Sequence, residues 1–401
     1  MEVRIGPPRA PDRADGKPGD LYGRHLDHRL AHSGFHVDIV NVKDDLDVLM
    51  GAVRLFRPDA VFNLVEYFND DAIHETYVAG LFELLGVPYT GNPPIALATC
   101  QNKFRTKLIL EAAGLPTASF FICRREPVPT DHELEFPLIV KPALEDASGG
   151  IEKASVVMDQ AGLEDRVRHV FKEFEMPALI EEYIEGREIH AAVLGNDPPE
   201  VLPLFEMEFD DSEFNPEGEW QPQIISFRAK WDPHSKDFYT MDSVCPPEDL
   251  DPEIEERIEE VALGAYKALG CRDYARIDMR VDEEAGEVFI LEINPNPDLI
   301  EGTAYIQCAA ATGRSYAEIL SEIAQMPIDR ARRAEELWRR AQAAGKASLP
   351  SDTLLREHLQ KVGAPAGSIS GRGKESAPKP EQTPDDPPPE APERDSDAGP
   401  A

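Results

Sequence analysis

Between Leu21 and Gly91 the apolar positions alternate between helical and strand-like periods. They predict a helix over Leu21–Ser33, a β-branched run at Val37–Val42, a helix over Asp45–Phe56, a strand at Ala60–Val65 and a helix over Ile73–Leu85. Such alternation implies a parallel sheet with crossover helices. The last helix is predicted to place Tyr77, Val78, Leu81, Phe82 and Leu85 on one face, against the sheet, and Gly86-Val87-Pro88 to end it.

A second unit is expected from about Asn92. Asn102-Lys103 opens a predicted helix over Phe104–Ala113, and Gly114-Leu115-Pro116 closes it. Strands are predicted at Ser119–Cys123, Pro137–Val140, Ala154–Met158 and Ala178–Tyr183, with a helix over Leu163–Phe174. Together they describe a small α+β lobe. A third unit, from about Glu188 to Ile323, carries predicted strands at His190–Leu194, Val201–Phe209, Ile277–Val281 and Val288–Ile293 and a helix over Pro252–Leu269. Asp329 to Ala344 reads as an Arg-rich helix packed on the body with its polar side in solvent. The expected division is 1–95, 96–187 and 188–328, a helical extension at 329–363 and a tail at 364–401.

Composition narrows the partners. With 401 residues, 41% hydrophobic and 29% charged, the chain is too long for a single core. It shows neither a spanning apolar run nor an apolar leader after Met1, so a cytoplasmic protein with no membrane partner is expected. A net charge of −35 argues against a nucleic-acid partner, and an anionic ligand would need a locally basic site. The tail from Ala364 is rich in Pro, Ser, Gly and acid and is expected to be disordered; its four basic against eight acidic side chains contribute only −4, so the body is itself acidic. Cys100, Cys123, Cys245, Cys271 and Cys308 show no metal-ligand spacing and read as reduced thiols. His190 and the three tryptophans read as packing residues.

Chemistry concentrates in a predicted hairpin. Tyr274-Ala275-Arg276-Ile277-Asp278-Met279-Arg280 and Val288-Phe289-Ile290-Leu291-Glu292-Ile293-Asn294 are joined across Asp282–Glu287. Side chains alternate along a strand, so Arg276 and Asp278 share a face, as do Glu292 and Asn294. If the faces coincide, four polar groups converge; otherwise they form a solvated edge. The apolar Ile277, Ile290, Leu291 and Ile293 favour a buried hairpin, whose polar groups need partners. Asp278, Glu292 and Asn294 offer the hard oxygens that magnesium, or manganese in its place, prefers, with Arg276 beside them. Lys141 ends the apolar strand of Pro137-Leu138-Ile139-Val140 just before Ser148-Gly149-Gly150, a pairing of cation and glycines that suits a phosphate. The strand Leu179-Ile180-Glu181-Glu182-Tyr183 leads to Glu188; its backbone suits an adenine edge and Glu188 suits ribose hydroxyls. Taken alone, each reads more readily as a structural or solvated strand end.

In this order and spacing the chain resembles the ATP-grasp superfamily, in its D-alanine–D-alanine ligase branch, over roughly Val61 to Ile323. The resemblance is carried by Leu84-Leu85-Gly86-Val87-Pro88-Tyr89-Thr90-Gly91, Asn102-Lys103, Ile139-Val140-Lys141-Pro142, Leu179-Ile180-Glu181-Glu182-Tyr183, Arg276-Ile277-Asp278 and Leu291-Glu292-Ile293-Asn294. It implies an ATP-grasp fold: an N-terminal parallel α/β lobe, a small α+β lobe and a larger antiparallel-sheet lobe. It further implies that Lys103 and Lys141 contact nucleotide phosphates under a loop of Ser148 and Gly149, and that Glu181, Glu182, Tyr183 and Ile184 line the adenine pocket. Glu188 would then hold ribose, Asp278, Glu292 and Asn294 magnesium, Arg276 the tetrahedral intermediate, and Lys230 the terminal phosphate. The implied reaction joins a carboxylate to an amine through an acyl phosphate, on amino acids or a short peptide, in a homodimer as is common among such ligases.

Several positions depart from that branch. Ala147 stands where a serine is usual, Trp231 where a tyrosine is, and Asn296-Pro297-Asp298-Leu299-Ile300-Glu301-Gly302-Thr303 replaces the usual S-P-G-M-T run. Asp298 and Thr303 therefore become substrate-side candidates, and Glu66, in Asn63-Leu64-Val65-Glu66-Tyr67, becomes a candidate for a substrate ammonium. Two other readings stay open: a nucleotide-binding regulatory module without turnover, and an ATP-grasp ligase that modifies a peptide or protein.

Overall fold

A computed structural model describes residues 2–5, 29–31, 33–42, 44–69, 71–145, 148–209, 220–232, 234–235 and 240–344, with backbone alone at 2–5 and 231. The tail from Ala364, Ala147 and most of the helix expected over Leu21–Ser33 lie outside the described residues. The first lobe holds β1 (Glu2–Ile5), β2 (His36–Ile39), α1 (Leu46–Phe56), β3 (Ala60–Phe62) and α2 (His74–Leu85), with the strands parallel in the order β2-β1-β3. The Asp45 side chain caps α1 by accepting the Asp47 and Val48 N–H groups. Gly86, at φ 65, ends α2. The buried apolar residues of α2 are Val78, Ala79 and Phe82. Tyr77 departs from the expected face: it is 62% exposed, its ring 5.6 Å from that of His74.

Two helices follow, α3 (Pro94–Cys100), which the sequence pattern did not announce, and α4 (Lys103–Ala112), capped by Asn102. The small lobe is an antiparallel sheet of β4 (Phe120–Cys123), β5 (Leu138–Pro142), β6 (Val156–Val157) and β7 (Ala178–Glu182), ordered β4-β7-β5-β6. Helix α5 (Gln160–Phe174) packs Leu163, Val167 and Val170 against it.

The large sheet contains β8 (Arg187–Leu194), β9 (Glu200–Val201), β10 (Phe205–Phe209), β11 (Met241–Val244), β12 (Tyr274–Asp282) and β13 (Glu287–Asn294). Its order is β11-β10-β8-β12-β13, antiparallel throughout, with β9 paired to β8. The single strand expected over Val201–Phe209 is two, because Leu202 and Leu204 turn into the core at the break. Three helices lie between or after these strands: the short α6 (Phe227–Trp231), α7 (Pro252–Ala268) and α8 (Ala304–Ala311). The last, α9 (Tyr316–Ala343), runs unbroken through Pro327, so the Arg-rich segment continues it and no element boundary falls at 328.

Alternation along the strands explains where the site lies. Ile189, Ala191, Val193, Ala275, Ile277, Met279 and Val281 face α7, which buries Ile258, Val261, Ala262 and Ala265 against them. The opposite face is apolar at one end, where Ala192, Leu194 and Tyr274 pack with Tyr305, Ile319 and Ile323 of α8 and α9. At its other end the same face carries Glu188, His190, Arg276, Asp278 and Arg280. Among the described residues no helix is long and apolar enough to cross a membrane.

Candidate active site

The charged end of that face is ordered by register. Asp278 pairs across the strands with His190 on one side and Glu292 on the other, Arg280 with Glu188, and Arg276 with Asn294. Arg276 donates twice to Asp278, both at 2.7 Å, and Asn294 Nδ2 donates to the same carboxylate at 3.0 Å. Burial pushes the Asp278 carboxyl up, but Arg276 and His190 outweigh it and hold it below its ordinary value. A bulge between Asp278 and Met279 lets the consecutive residues Leu291 and Glu292 both line the recess, where plain alternation would turn one away.

The facing wall comes from the small lobe and α4. Glu181 is buried between two lysines, with Lys107 Nζ at 2.6 Å and Lys141 Nζ at 2.5 Å. Burial raises its pKa, yet Lys107 and Lys141 together bring it down to about 2. Lys107 also donates to Thr117 at 2.6 Å, and its own burial lowers its pKa despite Glu181. Lys103 meets Glu292 at 2.9 Å and, against the effect of burial, holds that carboxyl well below its usual range, with help from Lys230 and Lys141.

Tyr183 and Ile184 line the same recess with Glu182 and Glu188. The Glu182 and Tyr183 amides already donate to the Ser119 and Pro137 carbonyls at 3.0 Å each, and the Glu182 carboxylate accepts the Glu135 N–H. Tyr183 Oη is tied to Gln223 at 2.8 and 3.1 Å. Ser148, at φ 63, and Gly149 precede Gly150, at φ 71, where a Cβ would lie 2.6 Å from Phe174. The Arg166 guanidinium fixes that turn through the Gly150 carbonyl at 2.6 Å, and the Ile151 carbonyl accepts the first N–H of α6, the helix that carries Lys230.

A second recess opens on the far side of Glu292, lined by Glu66, Glu75, Gln101, Lys103, Glu145, Asn294 and Asn296. The structure thus brings Lys141, Ser148, Glu181, Glu182, Tyr183, Ile184, Glu188, Lys230, Asp278 and Glu292 around one recess, and Glu66, Lys103 and Asn294 around its neighbour. Asp298 and Thr303 line neither: Asp298 accepts the Ile300 N–H at 2.9 Å, and Thr303 Oγ1 donates to the Asp298 and Ile300 carbonyls at 2.8 Å.

The sequence pattern described as D-ala D-ala ligase C-terminus matches residues 109–325. The chain belongs to the D-Ala–D-Ala ligase family. It has the ATP-grasp fold: the structure of the D-alanine–D-alanine ligase from Bacillus anthracis complexed with ATP superposes with a TM-score of 0.64 at 23% identity, covering 84% of this chain and 99% of that one. The D-alanine–D-alanine ligase of Desulforudis audaxviator is 35% identical over 260 residues, 63% of this chain and 77% of that protein. An uncharacterised protein of Sinorhizobium fredii is 36% identical over 290 residues, 70% of this chain and 80% of that protein. Lys141 through Thr303 lie inside the match to the D-Ala–D-Ala ligase family, whereas Glu66 and Lys103 precede it.

Sequence reading missed three groups at the site of this D-Ala–D-Ala ligase family member. Lys107 follows Lys103 by one helical turn and is buried, at 2% exposed, against Glu181. His190, read as a packing residue, does stack on Phe205, but its Nε2 also lies 3.4 Å from Glu188 and 3.9 Å from Asp278. Arg280 continues the alternation of Arg276 and Asp278. The signal for all three was spacing: i+4 on a helix, i+2 on a strand.

Proposed function

We propose that the chain is an ATP-dependent carboxylate–amine ligase, D-alanine–D-alanine ligase-like, acting on amino acids or a short peptide. One observation carries this reading. A single recess gathers the apolar Ile139, Tyr183, Ile184 and Leu291, a buried carboxylate at Glu188, the cations Lys141 and Lys230 and the paired carboxylates Asp278 and Glu292, and Glu292 also lines a second recess. That set of surfaces suits adenine, ribose and phosphates, with an acceptor in the neighbouring recess.

Each residue has a role. The slot and the Glu181–Ile184 strand take the adenine, and Glu188 takes the ribose hydroxyls. Lys103, Lys141 and Lys230 neutralise the phosphates under the Ser148-Gly149 turn. The substrate carboxylate oxygen attacks the terminal phosphorus and the bond to ADP breaks, giving an acyl phosphate. The amine nitrogen then attacks the acyl carbon, phosphate leaves, and the amine releases a proton. Arg276 stabilises the oxyanion that forms in between. Glu66 offers a carboxylate to a substrate ammonium, and Asp298 and Thr303 order the turn bordering the acceptor.

Asp278, Glu292 and Asn294 fit magnesium or manganese: two carboxylates paired across strands and an amide oxygen are hard donors. An ion held there would take its remaining oxygens from phosphate and water. When bound, the ion withdraws charge from the terminal phosphate oxygens.

The reading includes lobes at 1–95, 96–187 and 188–328, with α9 running on from the last into an extension at 329–363 and then a tail at 364–401, a cytoplasmic homodimer, and amino-acid or peptide partners rather than nucleic acid or membrane. Phosphate release from ATP with magnesium, screened against D- and L-amino acids singly and in pairs, tests the activity. Release that needs an amino acid and is lost in Glu292→Gln supports the ligase. Tight ATP binding with no release for any acid or amine would move the chain to a regulatory module or, if basic peptides restore release, to a peptide ligase.

A further inference from the structure

Arg280 is the charged residue lining the recess that none of these roles uses. It is 2% exposed, and its partner Glu188 is 6% exposed. The two are directly opposed on β12 and β8, and Arg280 Nη2 lies 2.8 Å from Glu188 Oε2. The rest of the guanidinium is also engaged. Nη1 donates to the Gly186 carbonyl at 2.6 Å, Nη2 donates to the Gln223 carbonyl, and the group lies 5.4 Å from the centre of the Phe209 ring.

A glutamate has three rotatable bonds, and one facing a ligand alone would scatter among rotamers. Glu188 is not alone. Arg280 takes Oε2 and His190 Nε2 approaches Oε1 at 3.4 Å, so both oxygens are anchored while Glu188 still lines the recess. Each oxygen keeps further acceptor capacity. A vicinal diol supplies two O–H donors, and a carboxylate with both oxygens anchored accepts both in one geometry. A sugar lacking one hydroxyl leaves one buried oxygen unmatched, the situation that gives polar sites their selectivity.

We infer that Arg280 is a positioning residue: it fixes Glu188 as a rigid acceptor for the 2′,3′-diol of the nucleotide and so sets the preference for ATP over 2′-deoxy-ATP. The inference rests on the ATP reading of the recess. Its backbone contacts extend it, because Arg280 also holds Gly186, in the link from β7 to β8, and the Gln223 carbonyl, which accepts from Tyr183 Oη as well. The slot and the sugar end are thereby fixed relative to each other by one side chain.

Calorimetric Kd values for ATP and 2′-deoxy-ATP with magnesium, on the full chain, test it in wild type, Arg280→Met and Arg280→Lys. The wild type is expected to prefer ATP by about 10-fold or more, the scale of one buried acceptor left unmatched. Arg280→Met should bring the ratio of the two constants to within about 2-fold of unity, and Arg280→Lys, which keeps the charge but not the planar fork, should restore part of it. A merely structural role would raise both constants by the same factor and leave the ratio intact, which overturns the assignment. Should Arg280→Met fail to fold, the lysine variant decides: a wild-type ratio overturns the assignment, and an intermediate one upholds it. Wild type that binds neither nucleotide removes the ATP reading itself, whereas wild type that binds both equally removes only the role of Arg280.

Discussion

Lys103 and Glu292, 189 positions apart in the sequence, meet at 2.9 Å and close the seam between the two recesses. Lys103 opens α4, and its own N–H donates to the Ala143 carbonyl just after β5, so the lysine is anchored at both ends of its reach. Glu292 sits on β13 opposite Asp278, beside the bulge, and lines both recesses. The pair joins a phosphate-side cation to a carboxylate that the proposed reaction needs ionised.

The two partners should fail differently. Lys103→Met removes a cation from the phosphate end and is expected to weaken ATP binding about 10-fold with a smaller change in kcat. Glu292→Gln removes charge that acts on the transferring phosphoryl and should lower kcat on the order of 100-fold or more while ATP still binds. Because each single variant already breaks the ion pair between them, the double variant should lose less than the sum of the single losses. Steady-state ADP formation with calorimetric ATP affinity reads both, and strict additivity would contradict the coupling.

Glu181 makes acid stability a local matter. Its folded pKa of about 2 lies below the ordinary carboxyl value of 4.5, so the stability it contributes is fully present above about pH 4.5 and is lost as pH falls toward 2. The upper limit is about 3 kcal/mol, reduced by the desolvation of Lys107, whose pKa burial moves downward. Glu181→Gln leaves Lys107 and Lys141 facing each other and should lower stability at pH 7 by about 3 kcal/mol while flattening the loss between pH 4.5 and 2. Urea midpoints across that window measure it; an unchanged slope would remove Glu181 as its source.

Much of this site was legible because strands and helices write their faces at fixed spacing. Arg276, Asp278, Glu292 and Asn294 do share one side of the large sheet, as alternation requires. Alternation could not reveal the bulge at Asp278/Met279, since an extra residue changes which side chains face the recess without changing the hydrophobic pattern. Nor could it show that Lys141, read as a phosphate contact, rests on Glu181, a partner 40 positions away that only the pairing of β5 with β7 supplies. The same holds for the Arg-rich end of α9. Its arginines look alike in sequence, yet Arg330 alone among them reaches Asp273.

Gly186 should tolerate no side chain. It sits at φ 126, and a Cβ there would lie 2.1 Å from the Val281 carbonyl oxygen of β12, so both strain and a backbone clash oppose alanine. Gly186→Ala is expected to lower stability by about 2 kcal/mol or more, and to weaken ATP binding because the Gly186 carbonyl is an Arg280 acceptor. Thermal melting and ATP titration of the variant provide the check. A melting curve like that of wild type would mean that the β7–β8 link relaxes freely.

Asp273 should be the most sensitive acidic position outside the recess. It is fully buried at φ 63, a left-handed conformation that Asp and Asn tolerate better than most residues. Its carboxylate accepts from Arg330 at 2.5 Å, Asn196 at 2.8 Å and the Gly91 N–H at 3.0 Å, and Arg330 continues to the Tyr89 carbonyl at 2.8 Å. One side chain thus ties α9, the turn after β8 and the end of the first lobe to the start of β12. Asp273→Ala leaves Arg330 and two further donors without their acceptor and is expected to cost about 3 kcal/mol or more. Asp273→Asn keeps the backbone preference and one acceptor oxygen and should lose about half as much. Arg330→Ala strands the buried carboxylate and should match the alanine variant more closely than the asparagine one. Chemical denaturation of the three variants ranks them; if Arg330→Ala proves neutral, the Arg-rich end of α9 contributes packing alone and Asp273 is satisfied by Asn196 and Gly91.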